Sequence, residues 1–285
     1  MPYSRNTLLT FSDLSPGLQE SRLNLDLLYA EESDRTGFER KWPEFCASDQ
    51  SNSGIFRREG HVLIFRTESL IPLELDDRPP LLMLLGNPAS HSVDSGFCFA
   101  SEGTNREHRF WIALRKAGLL EFDSDRSESR LPWQERNRIR KQELFGLEYH
   151  SPFRMGIAVY FSTPSAGSGS PWAGVAGLRK LFGARALRAI EIEEQRRIQG
   201  ILREFVPTGA AVMAFQRDAY EGLRSKDTPA YALGSAKAGK LYGKCKYGAD
   251  VLLVGAPPTR YLHSGKMQSV LAQLRVRLLG DPGRK

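Results

Sequence analysis

Four short runs of continuous apolar residues punctuate the chain. They are LLMLLG at 81–86, GIAVYF at 156–161, AAVMAF at 210–215 and DVLLVG at 250–255. Runs of this length without polar alternation are typical of parallel strands that are buried on both faces. Helical periodicity occupies the intervals at 108–118, 133–145, 174–205 and 262–278. The alternation predicts an α/β fold of three layers, α/β/α, in which helices cover both faces of a central four-stranded parallel sheet.

Residues 1–75 do not show this alternation of apolar runs and helical intervals. The stretch SPGLQESRLNLDLLYAEE at 15–32 predicts a helix, and GIFRREGHVLIFRTESLIPL at 54–73 predicts a strand pair that turns at Glu59 and Gly60. The following ELDDRPP at 74–80 is a predicted linker, because paired prolines cannot continue a hydrogen-bonded ladder. We therefore expect an N-terminal extension over 1–75 and a core α/β/α domain over 76–285.

The composition excludes several classes of protein. Apolar residues make up 41% and charged residues 26% of the 285 positions, which are ordinary values for a globular chain and exclude a disordered one. The sequence has no apolar run of the ~18 residues that a membrane span needs, and its start, MPYSRNTLLTF, lacks the layout of a signal peptide. We expect a cytoplasmic monomer that does not bind membranes and is nucleoid-associated if the source is bacterial.

The net charge and the cysteine content limit the kinds of partner and bound group that we expect. The net charge of +7 favours a polyanionic partner. The three cysteines, Cys46, Cys98 and Cys245, are far apart in the sequence and form no C-x-x-C pair. They therefore predict no disulfide framework, no metal site and no bound cofactor.

Polar residues follow each of the four predicted strands. The carboxyl ends of parallel strands share one edge of a sheet, and ligands bind there. The loops that leave these strands are GNPASH, STPS, QRDA and GAPPTRY. The pattern predicts that five side chains gather on this edge: Asn87, Ser162, Thr163, Gln216 and Thr259.

The stretch GNPA…SGFCFASEGTNREHRFWIALRKAGL, within 86–119, resembles the first motif of the uracil-DNA glycosylase superfamily, and most closely that of its mismatch-specific branch. Members of that branch carry Gly-x-Asn-Pro-Gly, then Gly-x-x-Phe-Ala, then Asn-x-Phe-Trp before a helix end. The resemblance covers about residues 78–278 and is patchy outside this motif. It implies a DNA glycosylase, whose partner is a duplex with a lesion or mismatch, or a single strand.

The resemblance also implies roles for single residues. Asn87 matches the residue that orients the attacking water at C1′ of the deoxyribose, and Phe99 matches the ring that stacks on the flipped-out base. The base-binding set that it implies is Gly86, Phe97, Cys98, Phe99, Ser162 and Thr163. Two other roles remain open: Asn87 as a cap of the turn after the strand, and Phe99 as core packing.

The second family motif, which follows the fourth strand, diverges here. Relatives carry Asn-Pro-Ser or His-Pro-Ser, whereas this chain has GAPPTRYLHSGK at 255–266, with Ala256 and Pro258 at the polar positions. Arg260 or Tyr261 is a candidate to fill the gap left by a flipped base. The basic run KAGKLYGKCKYG at 237–248 is a candidate phosphate-binding surface or a solvated face. The implied DNA-binding set is Ala89, Ser90, Pro257, Thr259, Arg260, Tyr261 and Lys266.

The motif also bears on specificity and on rival functions. Ala89 stands where uracil-selective relatives carry a tyrosine that blocks the thymine methyl group, so we expect uracil to be preferred and 5-substituted pyrimidines to be tolerated. The main hypothesis is a monofunctional glycosylase, because no lysine stands out as a Schiff-base nucleophile. Two alternatives remain: a superfamily member that binds DNA without cleaving it, and an α/β enzyme acting on a nucleotide or another phosphorylated small molecule.

Overall fold

The structure is a computed structural model, and it describes residues 7–100, 106–127, 131–206 and 210–280. Part of the glycosylase-like stretch, at 101–105, lies outside the described residues. The strands are β1 Leu9–Ser15, β2 Leu18–Asn24, β3 Phe56–Glu59, β4 Val62–Leu70, β5 Pro80–Leu85, β6 Glu121–Phe122, β7 Tyr149–His150, β8 Arg154–Val159, β9 Ala211–Ala214, β10 Tyr242–Cys245 and β11 Gly248–Gly255.

The helices alternate with these strands. They are α1 Leu25–Leu28, α2 Glu32–Ala47, α3 Asn52–Ile55, α4 Ser90–Ser95, α5 Arg109–Lys116, α6 Ser124–Ser127, α7 Trp133–Phe145, α8 Gly174–Phe182, α9 Ala184–Phe205, α10 Arg217–Leu223, α11 Leu233–Lys237 and α12 Gly265–Leu278, and a 3-10 helix covers Thr259–Tyr261. In the part of the chain that is described, no helix is both long enough and apolar enough to cross a membrane.

The chain divides into two compact units. The first contains residues up to Ser69, Gly86–Cys98 and Val159–Ile198, and the second contains Leu70–Leu85, Phe99–Ala158 and the residues from Gln199 onward. Both units are built from segments that are distant in the sequence. The predicted division after residue 75 stays a prediction.

The first unit contains an antiparallel sheet in which β2 pairs with β1 and both β2 and β3 pair with β4. The predicted hairpin at Glu59 and Gly60 is confirmed, since β3 and β4 pair in register on either side of that turn. The predicted helix over 15–32 is wrong: Gly17 turns the chain at a φ of +79°, and Leu18–Asn24 is a strand. The physical reason is that Ser21 and Leu23 alternate with less buried neighbours, which is the period of a strand.

Aromatic side chains form the core of this unit. The rings of Phe38, Trp42 and Phe45 on α2 follow one another at centroid distances of 5.6 Å. Phe56 of β3 meets Phe45 edge-on at 5.4 Å. These helix-to-strand contacts bury large apolar areas, and they fix α2 against the sheet of the first unit.

The second unit contains the predicted parallel strands. In the order of the sheet, the four predicted strands are β8, β5, β9 and β11, and β10 follows at the edge. Strand β9 pairs in parallel with both β5 and β11. All four apolar runs identified in the sequence are therefore strands of a mixed α/β protein with a mostly parallel sheet.

The predicted count of four strands is wrong, because β10 adds a fifth, antiparallel to β11. It forms from the basic run at 237–248, where a turn at Lys246 and Tyr247 folds the chain back to pair with β11. The three-layer covering of the sheet stays a prediction.

Candidate active site

Asn87 begins the loop that follows β5. The backbone N–H of Phe161, just after β8, donates to the carbonyl of Gly86 at 2.8 Å. At the opposite end of the same two segments, Arg154 N donates to Pro79 O at 3.1 Å, so the two segments advance in the same direction. The loop after β5 and the loop after β8 therefore leave side by side, and this places Asn87 next to Thr163 as the sequence predicted.

The side-chain amide of Asn87 is held by three acceptors of this loop pair. Its Nδ2 donates to Ser165 Oγ at 2.9 Å, to Pro88 O at 3.2 Å and to Thr163 O at 3.4 Å. Two of these acceptors are carbonyl oxygens, which fixes the nitrogen on this side of the amide. Oδ1 therefore points away from these acceptors, and no hydrogen bond joins it to any described residue.

Ser165 ties the two loops together, although the sequence did not single it out. Its Oγ accepts from Asn87 Nδ2 and from the backbone N–H of Gly174, the latter at 2.8 Å. Gly174 has a φ of +64°, a conformation that glycine adopts at little cost. Ser165 N donates to Pro88 O at 3.0 Å, and Ser90 N donates to Ser165 O at 2.8 Å. The orientation of Asn87 thus depends on Ser165.

Ser90, a predicted DNA contact, begins α4 and is buried. Its hydroxyl donates to Asn52 Oδ1 at 2.6 Å, and Asn52 Nδ2 donates to Phe45 O at 2.8 Å. Ala89, the other predicted contact of this loop, precedes α4, is half-buried and lies opposite Ser165 in an isolated parallel bridge. Ser90 therefore anchors the loop to α3, and the half-buried Ala89 is the more accessible of the two.

Ser162 and Thr163, both predicted to bind the base, have different surroundings. Ser162 donates from its backbone N at 2.6 Å and from its hydroxyl to the carboxylate of Glu194 on α9, which also pairs with Arg197 at 2.8 Å. Thr163 is 1% exposed, and its hydroxyl makes no hydrogen bond to any described residue. Thr163, whose carbonyl accepts from the Asn87 amide, therefore keeps an unused hydroxyl, and Ser162 does not.

Phe97 and Cys98 are both buried in the first unit. Burial raises the pKa of the Cys98 thiol well above its ordinary value, and the nearby charge of Glu68 raises it further. A thiol in this state is a poor nucleophile, because the thiolate is the reactive form. Burial thus favours a packing role for Cys98, and its place in the predicted base-binding set stays a prediction.

Phe99 lies in the second unit and is half-buried. Its φ of +52° is uncommon for a residue other than glycine, and Trp111 Nε1 donates to its carbonyl at 3.1 Å. The Phe99 ring stacks on His108 and meets Phe110 at a tilt, each at a centroid distance of 4.5 Å. A ring held in this way, and not fully buried, can present an aromatic surface to a planar ligand.

The segment that matches the second family motif also lies in the second unit. Pro257 is buried, while Thr259, Arg260 and Tyr261 form the 3-10 helix and Lys266 is exposed in the first turn of α12. Lys237 Nζ lies 3.7 Å from the centroid of the Tyr261 ring, and Arg260 Cζ lies 5.1 Å from it. The hydrogen bond from Arg260 and the two positive charges lower the pKa of Tyr261. Gln216, the fifth residue of the predicted edge, precedes α10.

No cluster of three or more histidine, cysteine, aspartate or glutamate side chains suited to a metal occurs in the described parts of the chain. The individual site roles stay predictions. Comparison of the sequence with known protein families finds no matching family model, and comparison with curated proteins finds no match.

Proposed function

We propose that this protein is a monofunctional DNA glycosylase that initiates base excision repair. It would flip out uracil, or thymine or another 5-substituted pyrimidine opposite guanine, and hydrolyse the N-glycosidic bond. The observation that carries the proposal is the Asn87 amide, whose nitrogen is occupied by Ser165, Pro88 and Thr163 while its oxygen faces away from them. A water that donates to this oxygen would have one lone pair directed at a bound sugar.

The chemistry that we propose requires little more than this positioning. The C1′–N bond breaks as the oxygen of water bonds to C1′, and the bonding electron pair leaves with the base. The proton that the water loses ends on the departing base, directly or through solvent, so the products are the abasic sugar and the neutral base. The transition state resembles an oxocarbenium ion with an anionic leaving base, so fixed dipoles around the base favour it. The hydroxyl of Thr163, which is free to donate, is a candidate for that role.

The DNA would be held through its phosphates. Tyr261, with Lys237 and Arg260 beside its ring, joins an aromatic face to two positive charges. Side chains of this kind bind phosphates or insert where a base has left the stack. We propose that this segment contacts the DNA backbone.

The second motif also supports a competing proposal, a protein that binds DNA without cleaving it. Ala256 is fully buried, and Pro258 has no backbone N–H to offer a phosphate. The polar groups that relatives use at these two positions are therefore replaced by apolar ones. Binding without base release would support this alternative.

The decisive test is base release from end-labelled duplexes that carry uracil or thymine opposite guanine, followed by alkali cleavage. We expect Asn87→Ala to lose at least about 100-fold in the rate of base release, the usual cost of removing one polar group that acts on the transition state. His91→Ala, an exposed change on the adjoining helix α4, should leave the rate unchanged. Release that survives in Asn87→Ala would contradict the proposal.

If the wild type releases no base, a binding measurement distinguishes two interpretations. Tight, salt-sensitive binding to the duplex would favour the non-cleaving protein. Tighter binding to a mononucleotide than to the duplex would favour an enzyme of small phosphorylated substrates.

Ala89→Tyr tests the proposed specificity. Ala89 is half-buried opposite Ser165, so a tyrosine there would extend from the loop that carries Asn87. We expect the variant to retain uracil release and to lose at least about tenfold in thymine release, because the ring would occupy the volume of the methyl group. Equal thymine release by the variant and the wild type would contradict this.

A further inference from the structure

Helix α7 buries two arginines of the second unit. Arg140 is fully buried and Arg136 is 8% exposed, and they lie one turn apart on the same face of the helix. Arg140 pairs with both Glu107 and Asp125. Arg115 of α5 pairs with the same two carboxylates at 2.8 and 2.9 Å. Buried arginines are rare without acceptors, so the balance of charges in this cluster matters.

The cluster contains more positive than negative charge. Three guanidinium groups, of Arg115, Arg136 and Arg140, share the carboxylates of Glu107 and Asp125. Glu143, the next acid along this face of α7, bonds to Ser124 instead, and burial raises its pKa, which disfavours its charged form. One buried positive charge is therefore left without a matching negative charge among these groups.

Arg136 is the arginine with the weakest pairing. Its only ion pair among the described residues is a long contact of 3.4 Å from Nη2 to Asp125 Oδ1, an oxygen that already accepts from Arg140. Its Nε is buried without a partner, as is Nη1 of Arg140. Burial, followed by the positive charge of Arg140, lowers the pKa of Arg136. A bound anion would supply Arg136 with the negative charge that it lacks and with an acceptor for its unpaired Nε.

The cluster is also linked, through its neighbours, to the backbone of the segment that carries Phe99. Asn137, next to Arg136 on α7, donates from Nδ2 to the carbonyl of Ala100 at 2.7 Å. Trp111, whose Nε1 holds the carbonyl of Phe99, lies with its ring centroid 5.8 Å from Arg140 Cζ. The segment that carries the Phe99 ring is thus attached to the helix that carries the unsatisfied guanidinium groups.

We propose that Arg136 binds a phosphate of the nucleic-acid strand whose base stacks on Phe99, with Arg140 supplying a second positive charge behind it. The proposal rests on the proposed function for the source of the phosphate, and on the cluster alone for the anion. The Arg136 side chain keeps 9% of its accessible surface, so an anion approaches it rather than the fully buried Arg140. A phosphodiester carries one negative charge shared by two non-bridging oxygens, which a guanidinium recognises through paired hydrogen bonds.

Inorganic phosphate is the first probe, because it needs no nucleic acid. At ten times the dissociation constant, we expect phosphate to raise the Tm of the wild type by about 3 °C relative to sodium chloride of the same ionic strength. Arg136→Gln should abolish this rise. Arg138→Gln is the matched control, since Arg138 is on the same helix but exposed, with its contacts limited to Glu135 and Gln142. Equal rises in all three proteins, or none in the wild type, would overturn the proposal.

A second variant, Arg136→Met, distinguishes loss of phosphate binding from a folding defect. It removes the surplus charge and keeps an unbranched apolar chain in place of the aliphatic stem of arginine, so its Tm without phosphate should match that of the wild type while the response to phosphate is lost. A phosphate response that persists in a well-folded Arg136→Met protein would overturn the assignment of Arg136.

An oligonucleotide probe identifies the source of the phosphate. For a duplex with a uracil–guanine mismatch, Arg136→Gln should weaken binding about tenfold and lower the salt slope by about one counterion, whereas Arg138→Gln should stay within about twofold. If phosphate stabilises the wild type through Arg136 but no duplex binds, the anion site holds and the glycosylase proposal fails. If wild type and Arg136→Gln bind the duplex and release its uracil equally well, the glycosylase proposal holds and the phosphate proposal fails.

Discussion

The Asn87 loop and the arginine cluster of α7 both bury polar groups, but they satisfy them in different ways. In the loop, neutral groups are paired with neutral acceptors, and Ser165 serves Asn87 and Gly174 at once. In the cluster, charged groups share too few partners, and Asp125 accepts from Arg115, Arg136 and Arg140. The loop therefore fixes the orientation of the Asn87 amide, while the cluster keeps a buried positive charge that its own carboxylates do not balance.

The difference also predicts where each region is fragile. A neutral hydrogen bond contributes about 0.5–1.5 kcal/mol, whereas removing one member of a buried ion pair leaves an uncompensated charge and costs about 3–5 kcal/mol. Stability should therefore depend more on the cluster, and the rate of base release more on the loop. The following substitutions separate these two dependences.

Asp125→Ala should have the largest effect on stability. It leaves Arg136 and Arg140 buried with Glu107 as the only carboxylate of the cluster, so we expect the free energy of unfolding to fall by about 3–5 kcal/mol. Glu121→Ala is the control: its partner Arg126 is largely exposed, and the loss should stay below about 1 kcal/mol. Urea denaturation measures both. A loss at Asp125 no larger than the loss at Glu121 would show that the cluster is not the fragile region.

Ser165→Ala should have a smaller effect on stability and a clear one on activity. Removing Oγ leaves Gly174 N–H without its acceptor and removes the shortest hydrogen bond of Asn87 Nδ2. We expect a loss of about 1–3 kcal/mol and a slower release of base, because the amide loses one of its three fixed contacts. Ser95→Ala, which removes an exposed hydroxyl from α4, should change neither. Unchanged base release in folded Ser165→Ala would separate Asn87 from catalysis.

The sequence predicted the strands of the second unit because each is a continuous apolar run between turn residues, a local signal. It failed over 15–32, where hydrophobic spacing fits a helix but pairing of β2 with β1 and β4 decides the outcome. The partners of β2 on β4, from Val62 to Glu68, lie far along the chain, so local periodicity does not reveal that pairing. The single helical interval at 174–205 becomes two helices for a local reason, since Gly183, at a φ of +85°, separates α8 from α9.

For the site, the shared edge of parallel strands predicted that Asn87 and Thr163 meet, and they do. The sequence analysis missed Ser165 because a serine in a Ser- and Gly-rich loop is typical of a linker. In the structure its hydroxyl accepts hydrogen bonds from both Asn87 and Gly174. Arg136 and Arg140 were missed because a helix as charged as α7 suggests a solvated face. Their acids, Glu107 and Asp125, are distant in the sequence, so only the folded chain pairs them.

Thr163→Val should have the smallest effect on stability, and of opposite sign. Its hydroxyl is buried without a partner, so valine removes a desolvated polar group and should raise the free energy of unfolding by about 1 kcal/mol. Thr228→Val is the matched control: that threonine is equally buried, but its hydroxyl bonds to both N and O of Lys244, and its loss should destabilise by about 1–3 kcal/mol. If Thr163 serves the base, the same valine that stabilises the free protein should slow base release about tenfold. A stabilised variant with unchanged release would leave Thr163 without a role in the reaction, and a destabilised one would mean that its hydroxyl is satisfied in solution.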